Sequence, residues 1–307
     1  MVIVKNSGNT DARDPAVIYD NGYFYHTYSL GGQLFVTKAK TVRELVKTEG
    51  VVVWTAPKGT EYSEQVWAPE LHKIDGKCYI YVACSNGDNY THRTYVLYND
   101  SADPQAPFTL KGKLADETDK WSIDATVFKH NGELYTVWSG WEGDIDVCQN
   151  LYVAKMSDPF TISSQRYLLS TPTYEWEKRG ATGLKDSPFV NEGPYPLIKN
   201  GTVHIVYSAS GSWCNYYCLG IITLKGDNPL DTSAWVKHPT PVFERNDKVN
   251  GPGHATFTLD TPEGDLIFYH AFDTDDKGGW NTCHASAQNF TFDGDFPVFG
   301  EPTNDED

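Results

Sequence analysis

Residues 122–140 read "SIDATVFKHNGELYTVWSG". One acid, Asp124, opens a run of apolar and branched residues. An Asn-Gly pair at 131–132 interrupts the run, and a second, aromatic-rich run follows. Asn-Gly supplies the positive φ angles that a two-residue type I′ turn requires, so the stretch predicts a β-hairpin. Both runs are nearly continuous in apolar residues, which predicts strands covered on both faces.

The phrase is written five times. "YDNGYFYHTYS", "IDGKCYIYVACS", "HNGELYTVWSG", "KNGTVHIVYSAS" and "PEGDLIFYHAF" align on Gly22, Gly76, Gly132, Gly201 and Gly264, at intervals of 54, 56, 69 and 63 residues. Self-similarity at this period predicts a repeat architecture. Four-stranded sheets with their loops need roughly 40–50 residues or more per unit, as in propeller blades. Five such units fill the 307 residues. The predicted fold is therefore all-β, a five-bladed β-propeller. It forms a single domain over residues 1–302, with a disordered tail at 303–307. A β-sandwich would not explain five similar phrases, and a parallel β-helix needs shorter coils. Residues 41–50, "TVRELVKTEG", read as a short helical turn or a loop.

Just upstream of each turn stands a residue of chemical interest. Asp14 lies 8 residues before Gly22, Asp124 lies 8 before Gly132, Glu192 lies 9 before Gly201 and His254 lies 10 before Gly264. In the second unit this place falls on Trp67 and Ala68, with Glu70 just beyond. If each pre-turn segment is the innermost strand of a blade, fivefold repetition gathers these residues at one mouth of the central channel. A lone acid there would satisfy backbone N–H groups or bind solvent. Three in matching register point to chemistry. Two carboxylates flanking a glycosidic bond hydrolyse it, one ionised to activate water and one protonated to assist the leaving oxygen. Crowded acids push each other's pKa values apart, and a third carboxylate can tune the donor.

Composition agrees with a neutral substrate. A formal net charge of −16 disfavours nucleic acid and anionic membranes as partners. The 9 Trp and 19 Tyr supply flat faces that stack on sugar rings. Six scattered cysteines without a CxxC pair read as buried free thiols. Asn89-Tyr-Thr91 and Asn200-Gly-Thr202 match the glycosylation sequon. No segment has the length and apolarity of a membrane span. The first residues lack the apolar core of a signal peptide, so the expected compartment is the cytoplasm, or the exterior after removal of a signal.

Taken in order, "RDP", "WAPELH", "SIDATVF", "NEGPYPLI" and "GPGH" make the chain resemble glycoside hydrolase family 43, the five-bladed arabinofuranosidases, xylosidases and arabinanases. "HRTYVL", "WSGWEG", "STPTYEWE" and "VYSASGSW" look most like the exo-α-L-arabinofuranosidase branch. The resemblance implies an inverting hemicellulose- or arabinan-degrading hydrolase, with Asp14 as general base, Glu192 as general acid and Asp124 as the acid that tunes Glu192. It implies that Trp67 lies near the sugar and that His254 is an axial histidine facing a water or a hydrated calcium. No cofactor is required. The implied partner is a plant cell-wall oligosaccharide or polysaccharide; the oligomeric state is open. A last-blade arginine common in the family is absent from "GGWNTCHASAQNF", so His284, Ser286 or Gln288 is expected in its place, with Gln288 taken as sugar-binding. Trp141, just past a strand, is expected to stack a second sugar, while Trp138 inside the strand packs in the core. Arg13 and His72 are expected to orient or pack. The rival readings are a β-D-xylosidase of the same fold and a sugar-binding propeller that has lost catalysis.

Overall fold

The computed structural model describes residues 4–6, 13–273 and 283–303. Five antiparallel blades follow one another along the chain; a short parallel pairing of Cys148 with Phe189 and Gln149 with Val190 joins blades three and four, and a small hairpin, Thr291–Asp293 with Phe296–Val298, follows the last blade. The first blade is built from Ala16–Asp20, Tyr23–Leu30, Gln33–Ala39 and Val51–Thr55, and the second from Glu64–Ile74, Lys77–Ser85, Arg93–Asn99 and Thr109–Leu114. The third has Ser122–His130, Glu133–Gly140 and Cys148–Asp158, edged by Thr161–Ile162 and Tyr167–Ser170. The fourth comprises Phe189–Lys199, Thr202–Ala209, Cys218–Leu224 and Trp235–Lys237. The fifth has Val249–Thr261, Gly264–Asp273 and His284–Asn289, and Val4–Asn6 from the other end of the chain is its outermost strand. Pairing the two chain ends in one sheet closes the ring without an exposed seam.

The first strand of every blade is the innermost. Each packs against the inner strands of both neighbouring blades, and the fifth packs against the first. Five hydrophobic clusters fill the five gaps. Leu34, Ile80 and Leu97 lie between blades one and two; Val96, Val127 and Tyr152 between two and three; Val137, Val153 and Ile205 between three and four. Val206, Ile221 and Ile267 follow between four and five, and Val17, Phe24 and Phe268 between five and one. This explains the nearly continuous apolar runs: the inner strands face a neighbouring blade on both sides, so neither face is left to water, whereas outer strands such as Val51–Thr55 are largely exposed.

Four of the predicted turns have the expected geometry. Asn21-Gly22, Asp75-Gly76, Asn131-Gly132 and Asn200-Gly201 have positive φ at both positions and join directly paired strand ends. The fifth differs. Thr261 pairs with Gly264, so Pro262 and Glu263 form the turn and Gly264 takes φ +91° at the start of the next strand. Proline cannot adopt positive φ, which rules out a type I′ turn there. Val42–Leu45 is a single helical turn, capped by Thr41 Oγ1 accepting from Glu44 N–H. Among the described residues no helix is long and apolar enough to cross a membrane. Cys148 and Cys214 are only partly buried, while Cys78, Cys84, Cys218 and Cys283 are fully buried. Of the expected tail, residues 304–307 lie outside the described residues.

Candidate active site

One backbone feature repeats where the inner strands reach the axis. Asp14 (φ +50°), Ala68 (+43°), Asp124 (+54°), Gly193 (+52°) and His254 (+50°) all sit in the left-handed region. In blades two to five the strand register slips at this point, as a bulge requires. The bulge turns one or two side chains of each inner strand out of the sheet toward the channel mouth. Asp, Asn and His tolerate this conformation better than most residues, whereas Ala there is strained. Glycine is needed at 193 for a second reason: a Cβ would stand 3.1 Å from the His254 ring.

A cavity of ≈ 530 Å³ opens at this end of the axis, and Asp14, Asp124, Glu192, His254 and Trp67 all line it. The structure thus brings together five of the residues singled out from the sequence. Arg13, beside Asp14, lines it as well. Trp67 is 38% exposed and stacks on His92, with ring centroids 4.0 Å apart. One face of its indole is held by the protein while the side chain borders the cavity.

The charges are interlocked. Asp14 Oδ1 is 3.0 Å from His254 Nδ1 and 3.2 Å from His270 Nδ1. Burial alone would raise the Asp14 pKa. The His254 charge, the His270 hydrogen bond and Arg13 more than offset this and hold it well below the usual carboxylate range. His254 moves the other way. Its burial disfavours charge, but Asp14, then Asp124, Glu192 and Glu70 push its pKa up to about 9. Glu192 is raised to about 8, first by burial and then by the Asp124 charge. Tyr217 Oη donates to Glu192 Oε1 at 2.9 Å and fixes the carboxyl. Asp124 is also raised, chiefly by burial, but its Oδ2 accepts the Gly193 N–H at 3.0 Å. At neutral pH the set therefore holds an ionised Asp14, a protonated His254 and a protonated Glu192.

Two expected sugar contacts are not in the cavity. Trp141 is 1% exposed and lies behind Trp121, with the rings parallel and 4.6 Å apart. Trp121 lines the cavity in its place. The reason is local: Trp141 N–H donates to Trp121 O, so the chain leaving the strand tucks the later indole underneath. Gln288 is also displaced. Its Nε2 donates to Phe299 O and Glu301 O, and its Oε1 accepts from Tyr269 Oη, which ties down the C-terminal segment. His284 and Ser286 are buried as well and do not line the cavity. The first residues of the "GGWNTCHASAQNF" stretch, up to 282, lie outside the described residues. Trp138 packs in the core as expected, and His72 binds Glu70 Oε2 at 2.9 Å deeper along the axis.

The sequence reading missed Trp121, Trp213, Gln149, Asp146 and Asp186, all of which line the cavity, and Tyr217 behind Glu192. Trp121 stands immediately before the quoted hairpin and was within reach of the register argument. Gln149 lies near the start of the strand Cys148–Asp158, and the others lie in loops that do not repeat.

His254 Nδ1 faces Asp14, and among the described residues no group of three or more His, Cys, Asp or Glu is arranged to hold a metal ion. The residues present do not fit His254 as a direct calcium ligand. An axial calcium reached through water is tested by chelation. If a hydrated calcium stands there, EDTA lowers the melting temperature or kcat/KM and calcium restores it; an absence of effect places a water on the axis.

Known proteins share this fold. The profile of Glycosyl hydrolases family 43 matches residues 7–297. An extracellular exo-alpha-(1->5)-L-arabinofuranosidase of Streptomyces chartreusis is 35% identical over 81% of this chain and 75% of its own length. Alpha-L-arabinofuranosidase 43 of Humicola insolens is 34% identical over 84% of this chain; the match spans 54% of that protein, about half its length. The crystal structure of an alpha-L-arabinofuranosidase from Lactobacillus brevis superposes with a TM-score of 0.85 at 34% identity, covering 95% of both chains. The match over nearly the whole propeller, including the strands that carry the three carboxylates, establishes that this chain belongs to family 43 of the glycosyl hydrolases.

Proposed function

We propose that the protein is an inverting glycoside hydrolase that releases α-L-arabinofuranose from arabinan or arabino-oligosaccharides. The observation that carries the mechanism is the split protonation of carboxyl groups around one cavity: Asp14 held ionised, Glu192 held protonated. Glu192 gives its proton to the glycosidic oxygen as the bond to the anomeric carbon breaks. A water accepted by Asp14 forms the new bond from the opposite face and surrenders a proton to Asp14. Asp124 supplies the negative charge that keeps the proton on Glu192. A carboxylate with so low a pKa is a weak base at rest. It suffices because water becomes strongly acidic once it bonds to the anomeric carbon. This reading needs no cofactor.

The substrate class follows from the relatives, which are named arabinofuranosidases at about a third identity. A panel of p-nitrophenyl α-L-arabinofuranoside, p-nitrophenyl β-D-xyloside and linear arabino-oligosaccharides tests it. Free arabinose should appear from the first and third, and proton NMR should show the β-anomer before mutarotation. Xylose release in preference to arabinose would make the enzyme a β-D-xylosidase. An initial α-anomer would overturn the inverting mechanism.

A further inference from the structure

The loop after the second strand of blade three is exposed at residues 142–145 and at 147. Asp146 alone turns inward. It is 7% exposed, it lines the cavity, and its Oδ1 has no hydrogen-bond partner. Its carbonyl accepts the Asp186 N–H at 2.9 Å, which ties this loop to the one leading into blade four. Asp186 also lines the cavity, and its Oδ1 accepts from Tyr90 Oη at 2.6 Å. Gln149, 8% exposed with Oε1 accepting from Ser139 Oγ at 3.4 Å, lines the same cavity. A buried carboxyl oxygen without a donor costs free energy, and here burial and the Asp186 charge raise the Asp146 pKa to about 6. A hydroxyl donated by a ligand would relieve that cost.

The position indicates which part of a ligand. These loops cap blades three and four, whose inner strands carry Asp124 and Glu192. A proton donor stands on the leaving-group side of the scissile bond, so the departing sugar extends from the cavity toward these loops. We infer that Asp146 determines specificity for the leaving sugar: its carboxyl group accepts a hydrogen bond from a hydroxyl of the pentose that departs, with the Gln149 carboxamide nearby. The inference rests on the glycosidase reading above.

The test compares a leaving sugar with a leaving group that has no sugar hydroxyls. kcat/KM is measured for linear arabinotriose and for p-nitrophenyl α-L-arabinofuranoside, in wild type, Asp146→Ala and Asp146→Asn. A hydrogen bond to a charged group is worth roughly 10- to 100-fold. The ratio of arabinotriose to aryl-glycoside kcat/KM should therefore fall about 10-fold or more in Asp146→Ala. In Asp146→Asn it should fall less, because the carboxamide oxygen still accepts. An unchanged ratio in Asp146→Ala overturns the inference, whether both rates fall together or neither falls. Thermal melting of each variant separates a loss of fold from a loss of contact: a ratio that falls only with a collapsed melting temperature also counts against it. If the wild type turns over neither substrate, the glycosidase reading itself fails; if it turns over both, the ratio judges Asp146 alone.

Discussion

Asp14→Asn should abolish turnover of every substrate, with losses of roughly 10³-fold or more even for a dinitrophenyl glycoside. A good leaving group removes the need for a proton donor but not for an activated water. The fold should survive. Asn accepts the left-handed backbone that position 14 adopts almost as readily as Asp does. The neighbouring histidine limits the damage too. With the Asp14 charge gone, the main force raising the His254 pKa disappears, and the ring can shed its proton instead of remaining a buried, unpaired cation. The measurement is kcat on both aryl and oligosaccharide substrates, with thermal melting as the control. If Asp14→Asn keeps a tenth or more of wild-type activity on the dinitrophenyl substrate, Asp14 is not the base.

Glu192→Gln should divide the substrates. A sugar alkoxide leaves poorly without a proton, whereas a dinitrophenolate leaves readily. General acid catalysis contributes on the order of 10²–10⁴-fold. Most of that should be lost on arabino-oligosaccharides and clearly less on the dinitrophenyl glycoside. Tyr217 can still donate to the Gln carboxamide oxygen, so positioning is largely preserved. The pH profile carries the same information. Glu192 works protonated, so activity must fall as pH rises through its raised pKa, near 8. That limb should flatten for the activated substrate in Glu192→Gln. Asp124→Asn removes the charge that helps keep Glu192 protonated, which lowers the Glu192 pKa and moves the basic limb to lower pH. The pair titrates together, so the limb reports the pair and not one residue. Equal loss on both substrate types in Glu192→Gln would remove it from the donor role.

Much of this is legible in the sequence. Hairpins are local events, and a turn such as Asn131-Gly132 between two apolar runs specifies its own register. Once five such hairpins were aligned, the place 8 to 10 residues upstream was fixed relative to each turn. Counting back therefore located Asp14, Asp124, Glu192 and His254, and nearly located Trp67. The fifth turn shows the limit of the template: Pro262 forces another turn type, yet the hairpin still forms.

Periodicity alone specifies the strands, the turns, the number of blades and the residues that repetition carries to the axis. The non-periodic features depend on the closed fold. Trp121 and Trp141 are equally aromatic and flank the same hairpin, and only the N–H of Trp141 reaching back to Trp121 O puts one in the cavity and the other beneath it. Gln288 looks like a sugar ligand until Phe299, Glu301 and Tyr269 take its amide. Asp146 looks like one more acid in an acidic loop until it proves to be the residue that turns inward. The protonation pattern belongs to the same class, because it depends on which charges meet between neighbouring blades, here Asp14 from blade one and His254 from blade five. Such pairings join residues up to 256 positions apart, as in Asp14 and His270. Local periodicity does not encode them; closing the ring does.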